Sequence, residues 1–170
     1  MRAALLLELP YSERPPLALP GRASAVLALI GQIKGAPSLL VTRRSERVEK
    51  HKGQMAFPWG VCEQEELATG AAAFVTTAIR ETQEEVGIEP RQVQVVGALP
   101  RLWTPTGYWI HPVVGILNEP ADGLALTLSE HEIAEAMWVP WAQLQEAGVY
   151  RLEQVSFGPA KFPTHVYQVG

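Results

Sequence analysis

The chain has 170 residues and a mass of 18.6 kDa, the size of one ordinary domain with room to bury a core. Its 47% hydrophobic content and mean hydropathy of +0.03 fit a globular protein, and it has no run of about 18 apolar residues to cross a membrane. A net charge of −4 and a pI near 5.6 argue against a general nucleic-acid binder, which needs a basic field.

The opening MRAALLLELP has a short apolar run with only Arg2 ahead of it and no convincing small-residue cleavage site behind it. It reads as the first turn or strand of the domain rather than a signal peptide, with a cytoplasmic location as the default. Tyr11 to Gly21, carrying Pro15, Pro16 and Pro20, reads as an extended surface connection. Ser24 to Ile30 and Pro37 to Thr42 read as short buried strands joined by the turn-prone Lys34-Gly35-Ala36-Pro37. Arg43 to Gly53 is charged, and is either a solvated loop or a rim that collects phosphates. The single cysteine, Cys62, has no partner for an internal disulfide and no evident paired base, so a small neutral side chain is its expected role.

Arg80 to Ile88, RETQEEVGI, places Glu81, Glu84 and Glu85 at i, i+3 and i+4. On a helix these share a face, with Cβ atoms roughly 5–6 Å apart. Like charges so close repel unless a cation sits among them, and Mg²⁺ or Mn²⁺ prefers oxygen ligands of this kind. A solvated acidic face is the plain alternative. Gly87 stands where a left-handed C-cap is needed, and Ala71, Val75, Ala78, Thr82 and Val86 form a candidate inner stripe. Val93 to Ala98, Trp109 to Leu117 and Ala136 to Val139 read as further strands. Trp141 to Glu146, after Pro140, reads as a helix start. Strands flank two helices without regular alternation, which gives an α+β class.

RETQEEVGI resembles the second half of the Nudix box, with Thr82 a mild departure at an apolar position. Upstream, LVTRRS (Leu40 to Ser45) and HKGQMAFPWG (His51 to Gly60) resemble the additional signature of coenzyme A pyrophosphatases. Downstream, Leu102 to Gly115 and Ser129 to Leu144 continue the likeness in the family's order. The resemblance implies a single Nudix domain over residues 1–170, an α/β/α sandwich around a mixed sheet. It implies Glu81, Glu84 and Glu85 as metal ligands, with the Trp59 backbone carbonyl as a further one. Arg80 would hold the carboxylates, and Glu132 would bind metal or act as base, an exposed loop acid being the alternative. Arg43, Arg44, Gly53 and Tyr108 are the candidate substrate contacts. Trp103, Tyr108 and Trp109 could stack on an adenine or fill the core, and His111 is expected to be structural.

Four departures carry expectations of their own. Trp59 stands where a glycine could take positive φ, so a strained backbone is expected there, and Trp59→Gly is expected to raise activity if that of the native chain is weak. The stretch from Gly60 to Arg80 is lengthened, with Leu67 to Phe74 as the expected inserted loop. Ala72 then occupies a position where the family has a glutamate, leaving Glu66 or Glu63 to substitute. Glu49 replaces an arginine of the coenzyme A signature. Members of that subgroup usually continue with another helix, whereas this sequence stops at Val169-Gly170. An apolar inserted loop beside an uncovered surface leads to the expectation of a homodimer.

The implied function is a divalent-metal-dependent pyrophosphohydrolase cleaving coenzyme A or acyl-CoA to 3′,5′-ADP and 4′-phosphopantetheine. Hydrolysis of another nucleoside diphosphate derivative such as ADP-ribose, or a Nudix-fold binding protein with little catalysis, are the alternatives. The expected partner is a small nucleotide, with neither nucleic acid nor membrane.

Overall fold

The computed structural model describes residues 21–48, 52–157 and 160–168. Expectations for residues 1–20 and for Glu49, Lys50 and His51 lie outside them. Strands β1 (Arg22–Ile33) and β2 (Ala36–Arg44) form an antiparallel hairpin. Lys34 and Gly35 turn it at φ 51° and 77°, the left-handed pair that matches strand twist. The turn is tighter than expected, since Ala36 and Pro37 already belong to β2. Short strands β3 (Met55–Ala56) and β4 (Trp59–Val61) pair with β2 and β1.

One-turn helix α1 (Gln64–Leu67) precedes the long helix α2 (Ala72–Val86). Strands β5 (Val93–Ala98), β6 (Leu102–Trp103), β7 (Tyr108–Leu117) and β8 (Ile133–Pro140) complete an eight-stranded sheet. A four-residue helix α3 (Trp141–Leu144) follows, then a separate hairpin of β9 (Tyr150–Phe157) and β10 (Ala160–Tyr167). The main sheet runs β3-β2-β1-β7-β5, with β8 beside β2. Its β1–β7 pair is parallel and the other pairs are antiparallel. The fold is thus an α+β sandwich around a mixed sheet.

β1 holds the centre because its alternate residues Ala25, Leu27 and Leu29 are fully buried, the period of a strand with one face in the core. Each buried leucine contributes about 1.5–3 kcal/mol. Helix α2 lays Ala78 and Val86 onto this cluster, and Phe74 stacks on His111 of β7 with ring centroids 3.5 Å apart. Burial depresses the His111 pKa, and Arg101 adds to the effect; the residue is a structural strand position, as expected.

Two sequence expectations need correction here. The buried face of α2 is Ala73, Thr77, Ala78, Thr82, Glu85 and Val86, while Val75 is exposed and Ala71 precedes the helix. Nor is Leu67 to Phe74 one inserted loop. It comprises the end of α1, a turn and the start of α2, in which Leu67 is exposed, Ala73 buried and Phe74 packed on His111.

Gly87 ends α2 at φ 76°, its amide bonded to the Gln83 carbonyl. The next segment crosses close by, with the Thr127 and Ser129 amides on the Val86 and Glu85 carbonyls at 3.0 Å. A Cβ on Gly87 would sit 2.9 Å from Thr127 Cβ and 3.1 Å from Thr127 N. Gly87→Ala is therefore expected to cost about 1–3 kcal/mol of stability, seen as a lower urea midpoint at unchanged slope. An unshifted midpoint would remove this account of the helix end.

Candidate functional site

The C-terminal half of α2 carries the acids, and the rest of the fold comes to them. Glu85 lies on the inner face, 1% exposed, and Glu81 is 13% exposed, whereas Glu84 is 57% exposed. Arg80 donates to Glu81 Oε1 at 2.7 Å and to Glu84 Oε2 at 3.1 Å. Its Nε donates to Glu66 Oε1 at 2.9 Å. Glu66 is buried, and its other oxygen accepts from Thr77 at 2.7 Å and from the Glu63 amide at 2.7 Å. Burial alone would raise the Glu66 pKa, but the bonds from Arg80, the Glu63 amide and Thr77 outweigh it and hold the carboxyl below its ordinary value.

Of the two candidate acids it is Glu66 that meets Arg80, and Glu63 serves in the capping box of α1. Cys62, buried nearby, has its thiol pKa raised by burial, in line with its expected inert role.

Glu81 rests on Gly60. A Cβ built on that glycine would lie 1.8 Å from Glu81 Oε1, so the carboxylate fills the space of the missing side chain. Burial pushes the Glu81 carboxyl up to about 7, opposed by Arg80 and reinforced by Glu84 and Glu132. Burial pushes Glu85 up to about 8, opposed by Arg44 and reinforced by Glu81 and Glu132. The fold therefore brings Glu132, from the turn before β8, into the field of both glutamates. The Ser45 amide holds the Glu132 carbonyl at 2.7 Å, tying that turn to the end of β2.

Glu85 Oε1 accepts from Arg44 at 3.3 Å, and Glu85 Oε2 is buried with no hydrogen-bond partner among the described residues. An orphaned carboxylate oxygen inside a repelling acid cluster is costly unless something positive meets it. Among the described residues no three acids, histidines or cysteines are already drawn into a cage. Even so, the oxygen donors, the orphan atom and the repulsion fit a hard divalent cation.

The backbone at Trp59 contradicts the expected strain. Lys34 is the only non-glycine residue with positive φ among the described residues, so Trp59 has ordinary strand geometry. β4 pairs with β1 in a register opposing Val26 and Trp59, and the ladder bonds fall on the flanking residues, Leu27 to Pro58 and Cys62 to Ala23. In an antiparallel ladder the residue between such pairs turns its amide and carbonyl the other way, and the Trp59 amide does act on Glu85. Its backbone already faces the acids, so the expected gain from Trp59→Gly is withdrawn.

The Trp59 ring lines a cleft of ≈ 150 Å³ with Val26, Arg44, Gln54, Met55, Ala56, Thr104, Thr106, Tyr108 and Ile110. Of the residues expected to contact substrate, Arg44 and Tyr108 are there. Arg43 instead pairs with Glu135 at 3.2 Å on the surface, and Gly53 turns the chain at φ 65° with its amide on the Arg44 carbonyl. Trp103 and Trp109 do not line the cleft; Trp109 carries Arg101 over its ring at 4.5 Å. Sequence reasoning missed the Trp59 side chain and the two threonines, for which motif spacing gave no signal.

The family model described as the NUDIX domain matches residues 21–157. Two curated relatives, each named "Uncharacterized Nudix hydrolase NudL", come from Citrobacter koseri and Shigella flexneri. The first is 38% identical over 129 residues, covering 76% of this chain and 62% of its own length. The second is 40% identical over 141 residues, covering 83% and 68%. This chain therefore spans about two thirds or less of their length. A solved Nudix hydrolase from M. smegmatis superposes with a TM-score of 0.56 at 22% identity, covering 73% of each chain, a likeness of fold.

Proposed function

Because this chain belongs to the NUDIX family, we propose that it hydrolyses a phosphoric anhydride with the help of a divalent ion, and that its substrate is coenzyme A or an acyl-CoA. The observation that carries the hydrolytic reading is the buried, unpartnered Glu85 Oε2 beside Glu81 and Glu132, one arginine away from an open cleft. Coenzyme A as substrate is supported by the LVTRRS and HKGQMAFPWG stretches, of which Arg44 and Trp59, each one residue from the end, line that cleft. The products would be 3′,5′-ADP and 4′-phosphopantetheine.

Mg²⁺ or Mn²⁺, when bound, supplies neutralising charge on the phosphate oxygens and a more acidic water. Glu81, Glu84, Glu85 and the Trp59 carbonyl would hold it. Arg80, pinned by Glu66, keeps Glu81 in place. Glu132, whose charge reaches Glu81 and Glu85, would accept a proton from the attacking water. Arg44, which lines the cleft, would donate to a phosphate oxygen.

Coenzyme A, ADP-ribose and a dinucleoside polyphosphate should be incubated separately with Mg²⁺ or Mn²⁺ and the products separated by chromatography. Coenzyme A is expected to be the preferred substrate, with no turnover after chelation of the metal. Preference for ADP-ribose would replace the substrate, and absence of any turnover would leave a binding protein.

A further inference from the structure

The tryptophan that departs from the family's glycine has a place and a use. We infer that the ring of Trp59, cornered by Tyr108, forms the subsite that takes the planar base of a nucleotide substrate and so determines specificity. The inference rests on the reading of the cleft as the substrate site given above.

Trp59 and Tyr108 meet edge to face, with ring centroids 5.4 Å apart at 83°. Two aromatic surfaces at right angles make a corner in which a flat ring can lie against one and meet the edge of the other. The Arg44 guanidinium sits over the Trp59 ring, 5.5 Å from its centroid, and also bonds Glu85. Arg44 is therefore held between the aromatic corner and the acids, at the point where a phosphate joined to a base would pass.

The sequence distance is equally short. Trp59 lines the cleft while Gly60, the next residue of β4, lies beneath the Glu81 carboxylate. The two positions face opposite sides of β4, so it is Arg44, over the Trp59 ring and bonded to Glu85, that links the corner to the acid cluster. Thr104, Thr106 and Gln54 give the cleft polar side chains among the apolar Val26, Met55, Ala56 and Ile110. That mixture suits a heterocycle with polar edges better than an aliphatic arm, which gains apolar contact from two crossed rings but no stacking. Stacking on an aromatic face tolerates any base, so the corner selects for the presence of a base more than for its identity.

The test compares two ligands that differ by the base alone, AMP and ribose 5-phosphate, by titration calorimetry on the full chain. AMP is expected to bind at least about tenfold more tightly, the scale of one stacked base. In Trp59→Leu that ratio should fall to within about twofold, and in Trp59→Phe, which keeps an aromatic face, most of it should survive. A ratio near one in the native chain overturns the inference, as does an undiminished ratio in Trp59→Leu. Should Trp59→Leu fail to fold by circular dichroism, the native ratio and Trp59→Phe still decide. Hydrolysis is not read here. A chain that favours AMP through Trp59 yet cleaves no anhydride sinks the proposed function and keeps the subsite, and active hydrolysis without a base preference does the reverse.

Discussion

Glu85→Gln is expected to lower the proposed hydrolysis by roughly two to three orders of magnitude while leaving the melting temperature unchanged or higher. Glutamine keeps the shape and can still accept from Arg44, so the 3.3 Å contact has a replacement. What it removes is a charge whose second oxygen is buried without a partner, in the field of Glu81 and Glu132. Burial favours the uncharged carboxyl in the metal-free chain, so glutamine costs the fold little; the loss to a hard cation is large, because affinity for such ions follows carboxylate charge. Glu84→Gln should be milder, since Glu84 is mostly exposed and paired with Arg80. Steady-state turnover and a Mn²⁺ titration on the three proteins give the comparison. Native turnover by Glu85→Gln at limiting metal would place the ion elsewhere.

The acidic helix was legible because its signals are local. Three glutamates at helical spacing and a glycine at the left-handed cap need no knowledge of the rest of the chain, and α2 ends at Gly87 as read. Ala78, Thr82 and Val86 of the expected inner stripe are buried, while Val75 lies at the surface and Ala71 before the helix; the inward turn of Glu85 escaped because a count of apolar positions cannot anticipate a buried acid.

Arg43 and Arg44 show a different limit. Successive strand residues point to opposite faces, so only one of the pair can reach the cleft, and a register shift of β2 against β8 falls between them. No local rule says which. Spacing left Glu66 and Glu63 as equal candidates. The lengthened stretch before Arg80 removes the usual distance between glutamate and arginine, and only the return of α1 against α2 restores the contact. Trp59 was misread for a related reason: the motif suggests a glycine loop, whereas pairing with β1 makes the same residues a strand.

Gly60→Ala is expected to remove most of the proposed activity, by about two orders of magnitude, with little loss of stability. The glycine is not needed for its backbone angles, since Gly60 is not among the glycines with positive φ. It is needed because Glu81 occupies the place of its Cβ, with Glu81 Oε1 1.8 Å and Glu81 Oε2 2.5 Å from where that atom would stand. The clash is with the far end of a flexible side chain rather than with backbone, so the fold can yield by swinging the carboxylate away. Swinging it breaks the 2.7 Å bond from Arg80 and takes Glu81 from the space it shares with Glu85 and Glu132. A displacement near 1 Å at a positioned group already costs catalysis heavily, and this displacement must be larger. The expected signature is a near-native melting temperature, weakened Mn²⁺ binding and a low kcat. A melting temperature lowered in proportion to the lost activity would mean that Gly60 serves packing of β4 alone, and full activity would show that Glu81 is free to act from another position.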